Sequence, residues 1–191
     1  MELQALNKFR VPKNFRGRKG WFVQLWWLVE ATFFRRSFQS MNGWRCFLLR
    51  LFGAKIGKKV VIRSTVQTQY PWKVTIGDYS WIGDYVHLYS LGEIIIGSNV
   101  VVSQKSYLCA GSHDYRLIDF PITNSPIVIE NECWLAADVF VAPGIVIGKG
   151  SVIGARSSVF KSIPAGKVCS GTPAKIIKDR VESNVRVLSR V

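Results

Sequence analysis

The 191-residue chain has room for one ordinary domain plus an appendage, and its 48% hydrophobic and 13% aromatic content excludes a disordered or collagen-like polymer. A formal net charge of +14 points to an anionic partner: nucleic acid, an acidic membrane surface or a phosphorylated small molecule. Cys46, Cys109, Cys133 and Cys169 show no CxxC spacing and Met1–Arg10 lacks the apolar core of a secretory signal, so reduced thiols in a cytoplasmic protein are expected.

Residues 1–55 hold eleven Lys/Arg against only Glu2 and Glu30, a net of +9, so most of the charge belongs to an N-terminal arm. Its apolar run, Gly20 to Phe34, spans 15 residues between Lys19 and Arg35. That is short of the roughly 18–20 residues needed to cross a bilayer. Apolar nearly all round, the run is either buried between elements or subunits or lies in a membrane interface, where Trp and flanking cations are favoured. The arm has no recognised nucleic-acid motif, and no nucleic acid is expected as partner. Next, Trp44, Phe47, Leu48, Leu51 and Phe52 fall at i, i+3, i+4, i+7 and i+8. This spacing predicts an amphipathic helix with Arg45 and Arg50 outward and Gly53 as its stop, capping the open end of whatever follows.

From Ile56 an aliphatic residue recurs every six positions, often before glycine: Ile56-Gly57, Ile76-Gly77, Ile82-Gly83, Ile96-Gly97, Ile147-Gly148, Ile153-Gly154. A fixed short period marks a solenoid. The inward series runs Ile56, Ile62, Thr68, Ile76, Ile82, Leu88, Ile96, Val102, Leu108, Ile129, Leu135, Val141, Ile147, Ile153, Val159 and ends at Ala165 and Gly171. Two residues before each lies a second, small or β-branched residue, such as Val60, Ser80 or Cys133, and the strand period of two turns both members inward. Glycine after the aliphatic residue is expected to turn the chain at positive φ. Steps of six lengthen after Thr68, Leu88 and Leu108, each time after three hexapeptides. Three hexapeptides therefore make one triangular coil, and every insertion leaves from one corner. About five coils should stack at ~4.8 Å. The longest insertion, Gly111 to Pro126, carries Ser112-His113-Asp114. The expected organisation is a helical cap over 1–55, a β-helix over 56–177 and a short tail over 178–191.

The runs Tyr70-Pro71-Trp72-Lys73, Ser103 to Cys109, Gly111-Ser112-His113-Asp114 and Gly154 to Lys161, with Gln24-Leu25-Trp26-Trp27 and Leu48 to Gly57 in the arm, resemble the hexapeptide-repeat acyltransferases. Within them the likeness is to the colanic acid acetyltransferase group, related to galactoside and maltose acetyltransferases. It covers most of the chain and implies an all-β, single-stranded left-handed parallel β-helix. It also implies transfer of an acetyl group from acetyl-CoA to a sugar hydroxyl, with no metal. The acceptor implied is an exopolysaccharide precursor, with a lipid-linked acceptor and peripheral membrane contact through 1–55 open. A homotrimer with sites between subunits is implied too. An amino-sugar N-acetyltransferase or a non-catalytic scaffold are the alternatives. A zinc carbonic anhydrase on the same fold needs three histidines, and this chain has two.

The resemblance makes His113 the general base, a task for which histidine is the residue type suited near neutral pH. Asp114 beside it either orients the imidazole or contacts the sugar, with a backbone carbonyl as the competing orienter. Alignment with the galactoside-type pattern implies coenzyme contacts at Ala137, Ala155, Lys161, Lys175 and Lys178, the lysines meeting phosphates as point charges. Trp134 walls the pantetheine channel or fills a corner. Asp84, Tyr85 and His87, expected near the same corner as the insertion, form an acceptor wall or, for His87, a structural element. Tyr85 stands where the galactoside pattern has asparagine.

Overall fold

A computed structural model describes residues 2–180. After a short 3-10 turn at Leu6–Lys8 come helix α1 (Gly20–Val29), which runs on as a π-helical turn over Glu30–Phe34, and helix α2 (Asn42–Leu51). The chain then winds into a three-sided parallel β-helix. The first face stacks Lys55–Ile56, Val74–Ile76, Ile94–Ile96, Ile127–Ile129 and Val146–Ile147. The second stacks Val61–Ile62, Trp81–Ile82, Val101–Val102, Trp134–Leu135, Val152–Ile153 and Lys167–Ser170. The third stacks Gln67–Thr68, His87–Tyr89, Tyr107–Cys109, Phe140–Val141 and Ser158–Val159. Five coils are complete, and a sixth is begun by an Ile147 to Ile163 bridge and Lys167–Ser170.

Register explains why the period works. Ile76 pairs with Ile96, Ile96 with Ile129 and Ile129 with Ile147, so like residues stack along one axis. The inward aliphatics from Ile62 to Val159 are buried, each contributing about 1.5–3 kcal/mol as apolar surface leaves water. The second inward position accepts serine because its hydroxyl knits coils. Ser80 Oγ donates to the Gly97 carbonyl at 2.7 Å and accepts from the Val100 N–H at 3.0 Å. Ser106 and Ser151 repeat the pattern, so these buried hydroxyls are satisfied.

The glycines after the aliphatic residues have a different cause from the one expected. Positive φ falls two residues later, at Lys59, Tyr79, Tyr85, Asn99 and Arg156. The glycines are needed for close approach: a Cβ on Gly77 would lie 2.6 Å from the Gly97 carbonyl carbon, and one on Gly148 2.4 Å from the Ala165 nitrogen. Stacked coils leave no room for a side chain there.

Three more expectations change. Ala165 and Gly171 are exposed, because the sixth coil is incomplete and Ile163 and Cys169 close the core instead. The tail expected from 178 begins inside a strand, Lys175–Asp179, which pairs antiparallel with Lys167–Ser170, while residues 181–191 lie outside the described residues. Arg45, expected outward, is fully buried. Its guanidinium donates to the carbonyls of Ile62 (2.5 Å), Phe38 (2.7 Å) and Gln39 (2.7 Å), and to Ser37 Oγ and Asn42 Oδ1. Helix α2 turns Arg45, Cys46, Leu48, Leu49 and Phe52 inward and leaves Trp44, Phe47 and Leu51 exposed. Arginine wins the inner face because the bend at 37–42 presents more carbonyls than backbone donors can satisfy. Gly53 does end the helix, at φ +92°. No helix among the described residues is long and apolar enough to cross a membrane.

Candidate active site

All insertions leave the corner between the third and first faces, as the lengthened steps require. After Cys109 the departure is an antiparallel hairpin, Gly111–His113 against Ile122–Asn124, with His113 opposite Ile122. Gly111 seats it flush: an added Cβ would meet the Leu91 side chain at 2.5 Å. The imidazole of His113 is exposed, and its Nδ1 lies 2.9 Å from the carbonyl oxygen of Phe120. A carbonyl only accepts, so Nδ1 is the donor here, and in the neutral ring the free lone pair then belongs to Nε2. The Phe120 ring stacks on the imidazole at 4.3 Å and 11°, and Phe9 of the arm stands 6.2 Å away. Phe120 has φ +47°, where a bulky residue is rare, and this bend is what lets one residue supply both ring and carbonyl. The arm is tied here too, the Ala5 N–H donating to the Ile118 carbonyl at 2.7 Å.

Asp114 has another partner. Its carboxylate accepts from the Arg116 backbone N–H (3.0 Å), Nε (2.8 Å) and Nη2 (2.7 Å), and these bonds hold its pKa down at about 2. Of the two orienters considered, the backbone carbonyl is the one bonded to His113.

The remaining predicted residues divide between two edges of the prism. Ala137 and Ala155 occupy turns between the second and third faces on the fourth and fifth coils. Asp84 and Tyr85 lie in the same turn of the second coil, not at the corner of the insertion as expected, because the six-residue period places the whole 83–85 turn before the third face begins. Asp84 accepts from Thr65 Oγ1 (2.9 Å) and pairs with Arg63 (3.2 Å). Trp134 is in register with Trp81, Val101 and Val152 on the second face, its Nε1 donating to Ser103 Oγ at 3.0 Å. Lys178 lies opposite Val168, itself opposite Val152, so it extends Trp134's row, and Lys175 lies opposite Ser170 beside it. A groove of about 600 Å³ runs along this edge, lined by Arg63, Trp81, Asp84, Tyr85, Ser103, Gln104 and Lys105. Lys161 instead follows the third face, on the hairpin's edge.

His87 sits between the two edges, on the third face. It stacks on Tyr107 at 4.9 Å, and the row continues from Tyr107 to Phe140 and Phe160 at 5.8 Å each. Burial, helped by the Arg35 charge, pushes the His87 pKa down, so the ring is held neutral as part of an aromatic ladder. Sequence reading missed Phe120, Arg116 and Arg63. The hairpin register that brings Phe120 to His113 leaves no periodic signal, whereas Arg116 was readable as the charge two residues after Asp114.

The described cysteines are free thiols, and no group of three His, Cys, Asp or Glu among the described residues stands where it could hold a metal. Residues 126–161 match the family model described as bacterial transferase hexapeptide (six repeats). The chain is 62% identical over 181 residues to WcaF of Escherichia coli (strain K12), named as a colanic acid biosynthesis acetyltransferase, covering 95% of this chain and 100% of that protein. The fold is similar to a maltose O-acetyltransferase from Clostridium difficile 630 (TM-score 0.76, 24% identity, 90% of each chain). It is also similar to a hexapeptide-repeat acetyltransferase of Vibrio cholerae O1 biovar eltor complexed with acetyl coenzyme A (TM-score 0.74, 24% identity, 89% of each chain).

Proposed function

Because the chain belongs to the hexapeptide-repeat acetyltransferases, in the group of the colanic acid biosynthesis enzyme, we propose that it transfers an acetyl group from acetyl-CoA to a sugar hydroxyl of an exopolysaccharide precursor, with His113 as general base. The observation that carries this reading is the tautomer fixed at His113: Nδ1–H is spent on the Phe120 carbonyl, which leaves Nε2 as the one basic atom on an exposed ring. Nε2 takes the hydroxyl proton as the sugar oxygen attacks the thioester carbonyl. The tetrahedral intermediate collapses with loss of the coenzyme A thiolate, to which the imidazolium returns the proton. Asp114 does not enter this scheme as a proton carrier, since Arg116 keeps it ionised.

Trp134, Ala137, Ala155, Lys175 and Lys178 on one edge suit a long donor: small residues allow close approach and lysines meet phosphates. His113 and Lys161 on the next edge of the same chain are separated from that strip by the third face. A cyclic trimer that sets one chain's hairpin edge against its neighbour's donor edge unites them, and closed cyclic symmetry is the usual solution for such prisms. We place this assembly in the cytoplasm, acting on a carbohydrate that can be lipid-linked.

The test is acetyl-CoA turnover with oligosaccharide and lipid-linked acceptors by wild type and His113→Ala. The variant keeps its affinity for acetyl-CoA and loses roughly 10²–10⁴-fold in rate. Equal rates remove His113 from the mechanism.

A further inference from the structure

The cap over the first coil is apolar on both sides. Inward, Val23, Trp26 and Phe34 are fully buried, with the Trp26 Nε1–H donating to the Thr68 carbonyl at 2.7 Å. Outward, α1 exposes Trp21, Leu25 and Leu28, a stripe at i, i+4 and i+7, while α2 exposes Trp44, Phe47 and Leu51 at i, i+3 and i+7. The two stripes are joined. Thr32 Oγ1 donates to the Leu28 carbonyl at 2.7 Å, and Trp44 Nε1 donates to the Phe33 carbonyl at 3.1 Å. Between them Phe33, Phe38 and Met41 line a shallow groove of about 430 Å³ with Arg36 at its side. Phe33 is 63% and Phe38 78% exposed, far beyond scattered surface apolars.

Charge chooses the occupant. Lys19, Arg35 and Arg36 are exposed at the start of α1 and in the bend that follows it, while the Arg50 guanidinium is spent on the Ile56 and Gly57 carbonyls of the first coil. The acid within this stretch, Glu30, is turned inward, accepting from the Thr68 backbone N–H at 2.6 Å, and burial raises its pKa. The face is thus aromatic and cationic with no outward carboxylate between 19 and 51. Such a face repels a second copy of itself and suits an anionic bilayer surface, where aromatic rings seat at headgroup level and Lys/Arg meet lipid phosphates. The geometry points to this cap face as a peripheral docking surface for an anionic membrane, set on the end of the β-helix. This goes beyond the acetyl-transfer reading and is testable without donor or acceptor.

Full-length protein is sedimented with vesicles of phosphatidylcholine alone and of phosphatidylcholine with about 30 mol % phosphatidylglycerol. Wild type co-sediments with the anionic vesicles, less so as salt rises, and not with the neutral ones. The triple variant Leu28→Ser, Phe33→Ser, Phe47→Ser and the charge variant Lys19→Glu, Arg36→Glu each lower partition about tenfold or more. An unchanged thermal unfolding profile shows that both remain folded. No binding of wild type to anionic vesicles, equal binding to neutral ones, or binding that survives both variants overturns the proposal. So does a wild-type assembly larger than that of the serine variant, which would make the face a contact between copies.

Discussion

The coils and the cap are built from the same apolar residues under opposite rules. In the coils the six-residue period decides everything: inward positions from Ile62 to Val159 are buried, and Gly57, Gly77, Gly83, Gly97 and Gly148 stand where the next coil's backbone passes within 3 Å of a would-be Cβ. In the cap the helical period sorts side chains into stripes, but apolar stripes face core and solvent alike, while an arginine goes inside. The difference teaches that the repeat fixes a stiff frame with little freedom for chemistry, whereas the segments that break the period, the cap and the hairpin, carry what is specific to this chain.

The contrast can be broken or sharpened by substitution. Ile129→Ala, in the middle of the first face and fully buried, should cost about 2–5 kcal/mol in denaturant unfolding, because the stacked coils cannot collapse onto the cavity. A cost below about 1 kcal/mol would mean that the frame is softer than the packing implies. Arg45→Leu keeps the bulk but orphans the Ile62 and Gln39 carbonyls, the Phe38 carbonyl keeping the Met41 N–H, and should cost about 2–3 kcal/mol by the same measurement. A stabilised variant would show the buried guanidinium to be dispensable. Phe120→Ala retains the carbonyl that holds Nδ1 and removes the stacked ring. Its kcat should fall about tenfold with acetyl-CoA affinity kept, the mark of a positioning residue. Smallest of all is Asp114→Asn, which should change kcat by less than about threefold, since the imidazole is oriented elsewhere.

Asp114 also predicts a pH dependence. Its folded pKa, about 2, lies below the ordinary 3.8. The Asp114–Arg116 contribution to loop order is therefore complete above the ordinary value and is lost as pH falls through about 2. Amide exchange at Arg116 across that window should accelerate in wild type and not in Asp114→Asn.

The β-helix was legible because its physics is periodic. Strand pairs two residues apart, a turn every six and insertions after each of the first three sets of hexapeptides gave away the faces, the shared corner and the insertion that carries His113. The reason for the glycines was misread, since close approach between coils is a long-range contact that no local φ argument reveals. The α2 face was misread for a kindred reason: helical spacing reports a stripe but not which stripe the neighbouring carbonyls at 37–42 will claim. The site was half legible. His113 stood out by its place on the longest insertion, but Phe120 depended on the hairpin register, while the place of Asp84 and Tyr85 on the other edge followed from the six-residue period and was misread.

The hairpin leaves the third coil, two rungs above the coil that the helices close. With rungs ~4.8 Å apart, the column works as a length gauge, holding the base of the His113 hairpin roughly 10 Å along the axis from the first coil. Splicing in or deleting one whole 20-residue turn, the spacing of Ile56, Ile76 and Ile96, would raise or lower that height by a single rung, so the distance between cap and hairpin is written in the number of turns.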